Sequence, residues 1–135
     1  MPSARKTYEP IPEETNRTSG LVVDAAITVH TAFGPGLLES TYRKCLAQEL
    51  RKRGARVDVE LCLPIWYDGV EIDSAYRMDL LVNEEVIVEV KAVVLIHPVH
   101  QAQVLSYLKL SHKRVGLLIN FNVVRLRDGI YRFVN

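Results

Sequence analysis

The chain has 135 residues, 48% of them apolar, enough for one compact domain with a core of its own and too few for two of ordinary size. No apolar run reaches the roughly eighteen residues of a membrane span, and the stretch MPSARKTYEPIPEETNRTSG has no apolar signal segment, so a soluble, cytoplasmic protein without membrane association is expected. A net charge of +1 excludes a strongly basic binding domain and leaves contacts with nucleic acid to local patches, such as Arg51, Lys52, Arg53 and Arg56.

In chain order, residues 1–19 are rich in Pro, Glu, Thr and Arg and read as an irregular N-terminal arm, with a single domain over 20–135. Helical periodicity begins at Leu21, with Val22, Ala26, Val29 and Phe33 on one face and Thr18 or Ser19 as N-cap, and ends at Gly34-Pro35-Gly36. A second helix is expected from about Leu37 to Arg53, stopped by Gly54. Strands follow over Val57 to Leu63, Ile65 to Tyr67, Ala75 to Val82 and Val86 to Val94. Pro98 suits the first turn of a third helix reaching Ser111, after which VGLLINF and IYRFV close the chain as strands, with Asp128-Gly129 as a turn. The order ααββββαββ implies an α/β fold, a mixed sheet with helices packed on it. Cys45 and Cys62 form no CxxC and sit in apolar-patterned segments, which suits reduced core thiols.

The segment NEEVIVEVKAVV is unusual because Glu89 and Lys91 interrupt a run of valines, where an unpaired charge is costly. If Asn83-Glu84-Glu85 is a three-residue loop, Val82 faces Val86, Asp79 faces Glu89 and Arg77 faces Lys91. One face then carries Met78, Leu80, Val82, Val86, Val88 and Val90, and the other Arg77, Asp79, Leu81, Ile87, Glu89 and Lys91. Two directly opposed carboxylates repel unless positive charge lies between them. A divalent cation meets that need, with Lys91 aimed at the same point; a surface ladder neutralised by Arg77 and Lys91 is the competing explanation.

On the second helix, Glu39 falls on the inward stripe of Tyr42, Leu46 and Leu50, where a carboxylate needs a partner: an internal ion pair, for which Arg77 is a candidate, or the same cation. Tyr42, one turn beyond, is placed to bond Glu39 or to fill core. In HPVHQAQVLSYLKL, Gln101, Val104, Leu105 and Leu108 share one face, and His100, Gln103 and Tyr107 form an adjoining stripe. Gln103 and Tyr107 bring an amide and a phenol together, able to hold a water or a phosphate, although a capped, partly buried glutamine is the commoner reason for such a residue. His97, His100 and the two cysteines lack a four-ligand zinc spacing.

The segments HTAFGPGLLESTY, YRMDLLV, VIVEVKAV, VHQAQVLSYLKL and GLLINFNV together resemble the GxxExxY protein family of the PD-(D/E)XK nuclease-like superfamily, over roughly Leu21 to Val134 and in family order. The resemblance implies a restriction-endonuclease-like core, a mixed β-sheet flanked by α-helices. It implies metal-binding acids at Asp79 and Glu89, the first-helix acid at Glu39, the catalytic lysine at Lys91, and a Q-x-x-x-Y element at Gln103 and Tyr107. Gly36, Glu39 and Tyr42 form the family signature itself; Met78 stands where the superfamily commonly has proline. The expected activity is hydrolysis of phosphodiester bonds in nucleic acid, with DNA as the expected form, using Mg2+ or Mn2+. A non-catalytic nucleic-acid- or partner-binding module that keeps the nuclease fold is the alternative. A small domain with an exposed arm is also compatible with a homodimer.

Overall fold

The computed structural model describes residues 9–73 and 76–135. Its elements are α1 (Glu13–Phe33), α2 (Glu39–Lys52), β1 (Val57–Cys62), β2 (Ile65–Tyr67), β3 (Val70–Ile72), β4 (Arg77–Val82), β5 (Val86–Lys91), α3 (Pro98–Ser111), β6 (Val115–Asn120), a 3-10 turn over Leu126–Gly129, and β7 (Ile130–Val134). Five strands form one sheet in the order β1-β4-β5-β6-β7, and β2 and β3 form a separate ribbon. Only β5 and β6 run parallel in the larger sheet, so the chain must cross over between them, and α3 is that crossover.

The alternation of apolar residues gives the sheet two dry faces. On one, Val22, Ala26, Leu46 and Leu50 from α1 and α2 pack against Leu80, Val82, Val88, Leu117 and Ile119. On the other, Val104 and Leu108 of α3 pack against Leu81, Ile87 and Leu118. Gly116 sets how close α3 can come: a Cβ there would lie 2.8 Å from Val104 Cγ1 and 3.4 Å from both methyls of Leu108.

Several boundaries differ from the sequence expectation. α1 begins at Glu13, with Pro12 as N-cap and Glu13 and Glu14 in the first turn, so residues 13–19 are helix and the boundary at 19/20 falls inside it; residues 1–8 lie outside the described residues. Thr15, Thr18 and Ser19 look like arm residues yet are buried. Thr18 is held by the hairpin, donating to Glu85 Oε2 (2.8 Å) and accepting from Asn83 Nδ2 (3.3 Å). β3 was not anticipated, because its residues are all exposed and give no inward face; Asp68 (φ 53°) and Gly69 (φ 75°) form the tight turn that joins it to β2. β4 starts at Arg77, with Ala75 outside the described residues, and β5 stops at Lys91.

Met78 packs with Leu63, Leu81 and Ile87, on the side opposite to Leu80, because the alternation lapses at Asp79, across from Glu60 with its left-handed backbone (φ 50°). Leu105 is exposed, the buried stripe of α3 being Val104, Tyr107 and Leu108. Cys62 is exposed at the end of edge strand β1, so only Cys45 is partly enclosed, and both thiols are free. No helix of the described residues is long and apolar enough to cross a membrane.

The contact at Gly116 predicts that Gly116→Ala forces α3 off the sheet and lowers unfolding free energy by about 1–3 kcal/mol, the usual range for overpacking. Urea denaturation measures it, and an unchanged midpoint would contradict the tight seating of α3.

Candidate functional site

The paired register of the central hairpin is Val82 with Val86, Leu81 with Ile87 and Leu80 with Val88. Asn83 (φ 52°) and Glu84 (φ 58°) turn the chain, and the Glu85 N–H donates to the Val82 carbonyl at 3.0 Å. Beyond Leu80 and Val88 the regular ladder gives way to side-chain bonds. The Asp79 N–H donates to Glu89 Oε1 and the Val90 N–H donates to Asp79 Oδ2, both at 2.9 Å. Each acid therefore fixes a backbone amide at or beside the other and keeps a second oxygen for another partner. The three-residue loop sets the register as far as Leu80 and Val88, and the two side-chain bonds join Asp79 and Glu89 beyond it.

Glu89 is only 3% exposed, and its pKa is pushed up to about 8, first by burial and next by the negative charge of Asp79. The Asp79 amide and the Lys91 ammonium oppose that rise without cancelling it. Arg77 and Lys91 do not form the neutralising ladder: among the described residues neither lies within 4.0 Å of an acidic oxygen. The cation that does approach is Arg43 of α2, 3.8 Å from Asp79 Oδ1 and 3.1 Å from Glu60 Oε1. Neither Arg43 nor Glu60 stands out in the sequence, because their meeting depends on how α2 crosses β1 and β4.

Glu39 is the first residue of α2, at the positive end of the helix dipole, and is half-buried. It makes no ion pair with Arg77, and its charge is felt at His100, at the start of α3. Tyr42 does not bond Glu39. Its hydroxyl donates to the Gly34 carbonyl (2.5 Å) and accepts the Leu37 N–H (3.0 Å), while its ring stacks on Phe121 at 4.7 Å. This fastens the Gly34-Pro35-Gly36 loop, in which Gly34 (φ 64°) and Gly36 (φ 106°) occupy the left-handed region, and so sets where α2 and Glu39 begin.

From the other face, α3 brings Gln103 and Tyr107 over the acids. Gln103 Nε2 donates to the Tyr107 hydroxyl at 2.8 Å, leaving that hydroxyl its own proton to donate. The Tyr107 phenol is raised to about 12 by burial and by the charge of Glu89, which keeps it a donor at neutral pH. His97 and His100 serve the helix start: His100 Nδ1 accepts the His97 N–H at 3.2 Å, and the His100 pKa is lowered by partial burial and by the charges of Lys91 and His97. The site is therefore one sheet hairpin with α3 over it and the start of α2 at its rim.

A family model described as the PD-(D/E)XK nuclease superfamily matches residues 16–133. The chain belongs to the PD-(D/E)XK nuclease superfamily. No curated relative and no solved structure matches it at a significant level. The mixed sheet flanked by helices is consistent with the restriction-endonuclease-like α/β fold of such nucleases.

Nucleases of this superfamily usually use Mg2+ or a similar divalent cation, and the residues here suit one. Asp79 and Glu89 offer hard oxygen donors, each with one oxygen not committed to a backbone amide. Among the described residues no three His, Cys, Asp or Glu side chains are gathered as a ready metal cage. Glu39 and Lys91 both act electrostatically on His100, and Arg43, on the same helix as Glu39, reaches Asp79.

Asn120 was also not anticipated as part of the site. It pairs with Lys91 across β5 and β6, and its buried amide clamps the chain just beyond Lys91, accepting the Val93 N–H (3.1 Å) and donating to the Val93 carbonyl (2.9 Å). Its only sequence signal is a polar residue closing an apolar strand. His30 is structural, bonding the Val123 carbonyl at 2.8 Å through Nε2.

Two outcomes follow. An acid whose folded pKa lies above its unfolded value gains a proton on folding, so between about pH 4.5 and about pH 8 the metal-free protein loses stability as pH rises. Glu89→Gln should flatten that slope in melting curves recorded with chelator, and an unaltered slope would refute the buried acid as its source. Tyr42→Phe strands the Leu37 N–H and the Gly34 carbonyl and should cost about 1–3 kcal/mol in chemical denaturation.

Proposed function

We propose that this chain is a divalent-metal-dependent nuclease that hydrolyses phosphodiester bonds, with DNA as its substrate. The observation that carries the reading is the buried Glu89 carboxylate beside Asp79, with Lys91 close enough for its charge to act on Glu89 and with the Tyr107 phenol above. Asp79 and Glu89 would hold Mg2+ or Mn2+, with Glu39 adjusting its surroundings from the rim. A cation held there supplies Lewis acidity toward a phosphoryl oxygen and eases deprotonation of water.

The protein groups divide the remaining work. Lys91, on the strand segment fixed by Asn120, orients the attacking water and offsets negative charge that develops on the phosphate. Tyr107 donates its free proton to a phosphate oxygen or to water, and Gln103 holds the phenol in place. Arg43 limits repulsion at Asp79 and accounts for why both acids can sit together before substrate arrives.

Glu89→Ala and Lys91→Ala should each reduce manganese-dependent cleavage of labelled DNA by about two to three orders of magnitude while circular dichroism stays native. Undiminished cleavage by either variant, in a preparation free of contaminating nuclease, would refute the assignment. Salt-sensitive binding without cleavage by the wild type would instead support a non-catalytic module.

A further inference from the structure

Beside the acids, and sharing Gln103 and Tyr107 with them, lies a cleft of about 460 Å³ between α3 and the side chains of Ile65 and Tyr76. Its walls include Ile65, Tyr76, Val99, Gln103, Tyr107 and Leu110, and no lysine, arginine or carboxylate lines it. The volume lies in the range of about 300–1,000 Å³ typical of small-molecule sites. Two phenol rings form part of the wall, and the Tyr76 phenol is near enough to influence Tyr107. The polar groups of the lining are the Gln103 amide, with one N–H given to Tyr107, the Ser106 hydroxyl, the His100 imidazole and the two phenol hydroxyls.

No lysine or arginine among the lining residues offers a phosphate a fixed positive charge in the cleft, whereas Lys91, beside the acids, does. We propose that the cleft takes the base of an unpaired nucleotide adjoining the scissile phosphate, so that the substrate is a single strand or a frayed strand end. In a continuous duplex that base is stacked and paired, and its faces are not available. The inference rests on the nuclease reading for the position of the phosphate and adds to it which form of nucleic acid the site admits. Stacking on aromatic walls tolerates any base, so the preference is for unpairing and not for sequence.

The test compares three labelled oligonucleotides of equal length by fluorescence anisotropy: a single strand, the same strand with abasic residues through its centre, and the duplex. The wild type should bind the intact strand about tenfold or more tightly than the other two, the scale of losing one stacked base. Ala102→Trp, at an exposed position lining the cleft, should remove that preference and leave abasic binding unchanged, and Tyr76→Ala, also at an exposed position, should weaken it. Equal affinity for intact and abasic strands, or no effect of Ala102→Trp, overturns the inference. Cleavage of the same strands with manganese separates the two readings. Cleavage indifferent to the base removes the cleft's role and keeps the nuclease; base-dependent binding without cleavage keeps the cleft and removes the nuclease. Base-indifferent binding joined to concentration-dependent self-association, lost in Ala102→Trp, would assign the cleft to a second copy of the chain and overturn the proposal.

Discussion

Two carboxylates standing side by side in the sheet, each holding a main-chain amide of the opposing strand, are the constraint from which the rest of the site follows. Their mutual repulsion and the burial of Glu89 are offset in part by Arg43 from α2, near Asp79, and by Lys91 from the same strand, whose charge acts on Glu89. The pKa of Glu89 stays raised all the same, by burial first and by the Asp79 charge next.

The supporting structure fixes the elements around these acids. Tyr42 and the two left-handed glycines fasten the start of α2, Asn120 fastens the chain after Lys91, and His30 ties α1 to the carbonyl of Val123. These bonds satisfy backbone groups at the ends of elements, where they would otherwise lack partners. Family membership and fold agree with this arrangement, and the chemistry assigned to it remains with the side chains that converge there.

What could be read in advance divides along a physical line. The hairpin register was legible as far as Leu80 and Val88 because a three-residue loop leaves one alignment; that Asp79 and Glu89 meet through side-chain bonds to backbone amides was not. The pairing of Gln103 with Tyr107 was legible because residues four apart meet on a helix. Contacts between elements were not: Arg43 reaching Asp79, Asn120 clamping Val93 and Tyr42 bonding the preceding loop depend on packing that periodicity does not encode. The early start of α1 was hidden for a related reason, since Thr18 is buried through a bond to Glu85 and not through apolarity. Glu39, expected on the inward stripe, is half-buried at the start of α2, and a helical wheel does not say which face of the sheet the helix covers.

The absent side chain at Gly116 has a mechanical consequence. The Val104 and Leu108 side chains of α3 seat directly on the main chain of β6, with no side chain from Gly116 between them, so the helix that carries the phenol and amide is held close to the sheet that carries the acids. That half of the site behaves as an anvil. The opposite wall is built from Tyr76 and the short β2–β3 ribbon, a two-stranded unit outside the main sheet whose Trp66 and Tyr67 stand in solvent. Variation in the ribbon would therefore alter the shape of the cleft and leave the acid pair as it is.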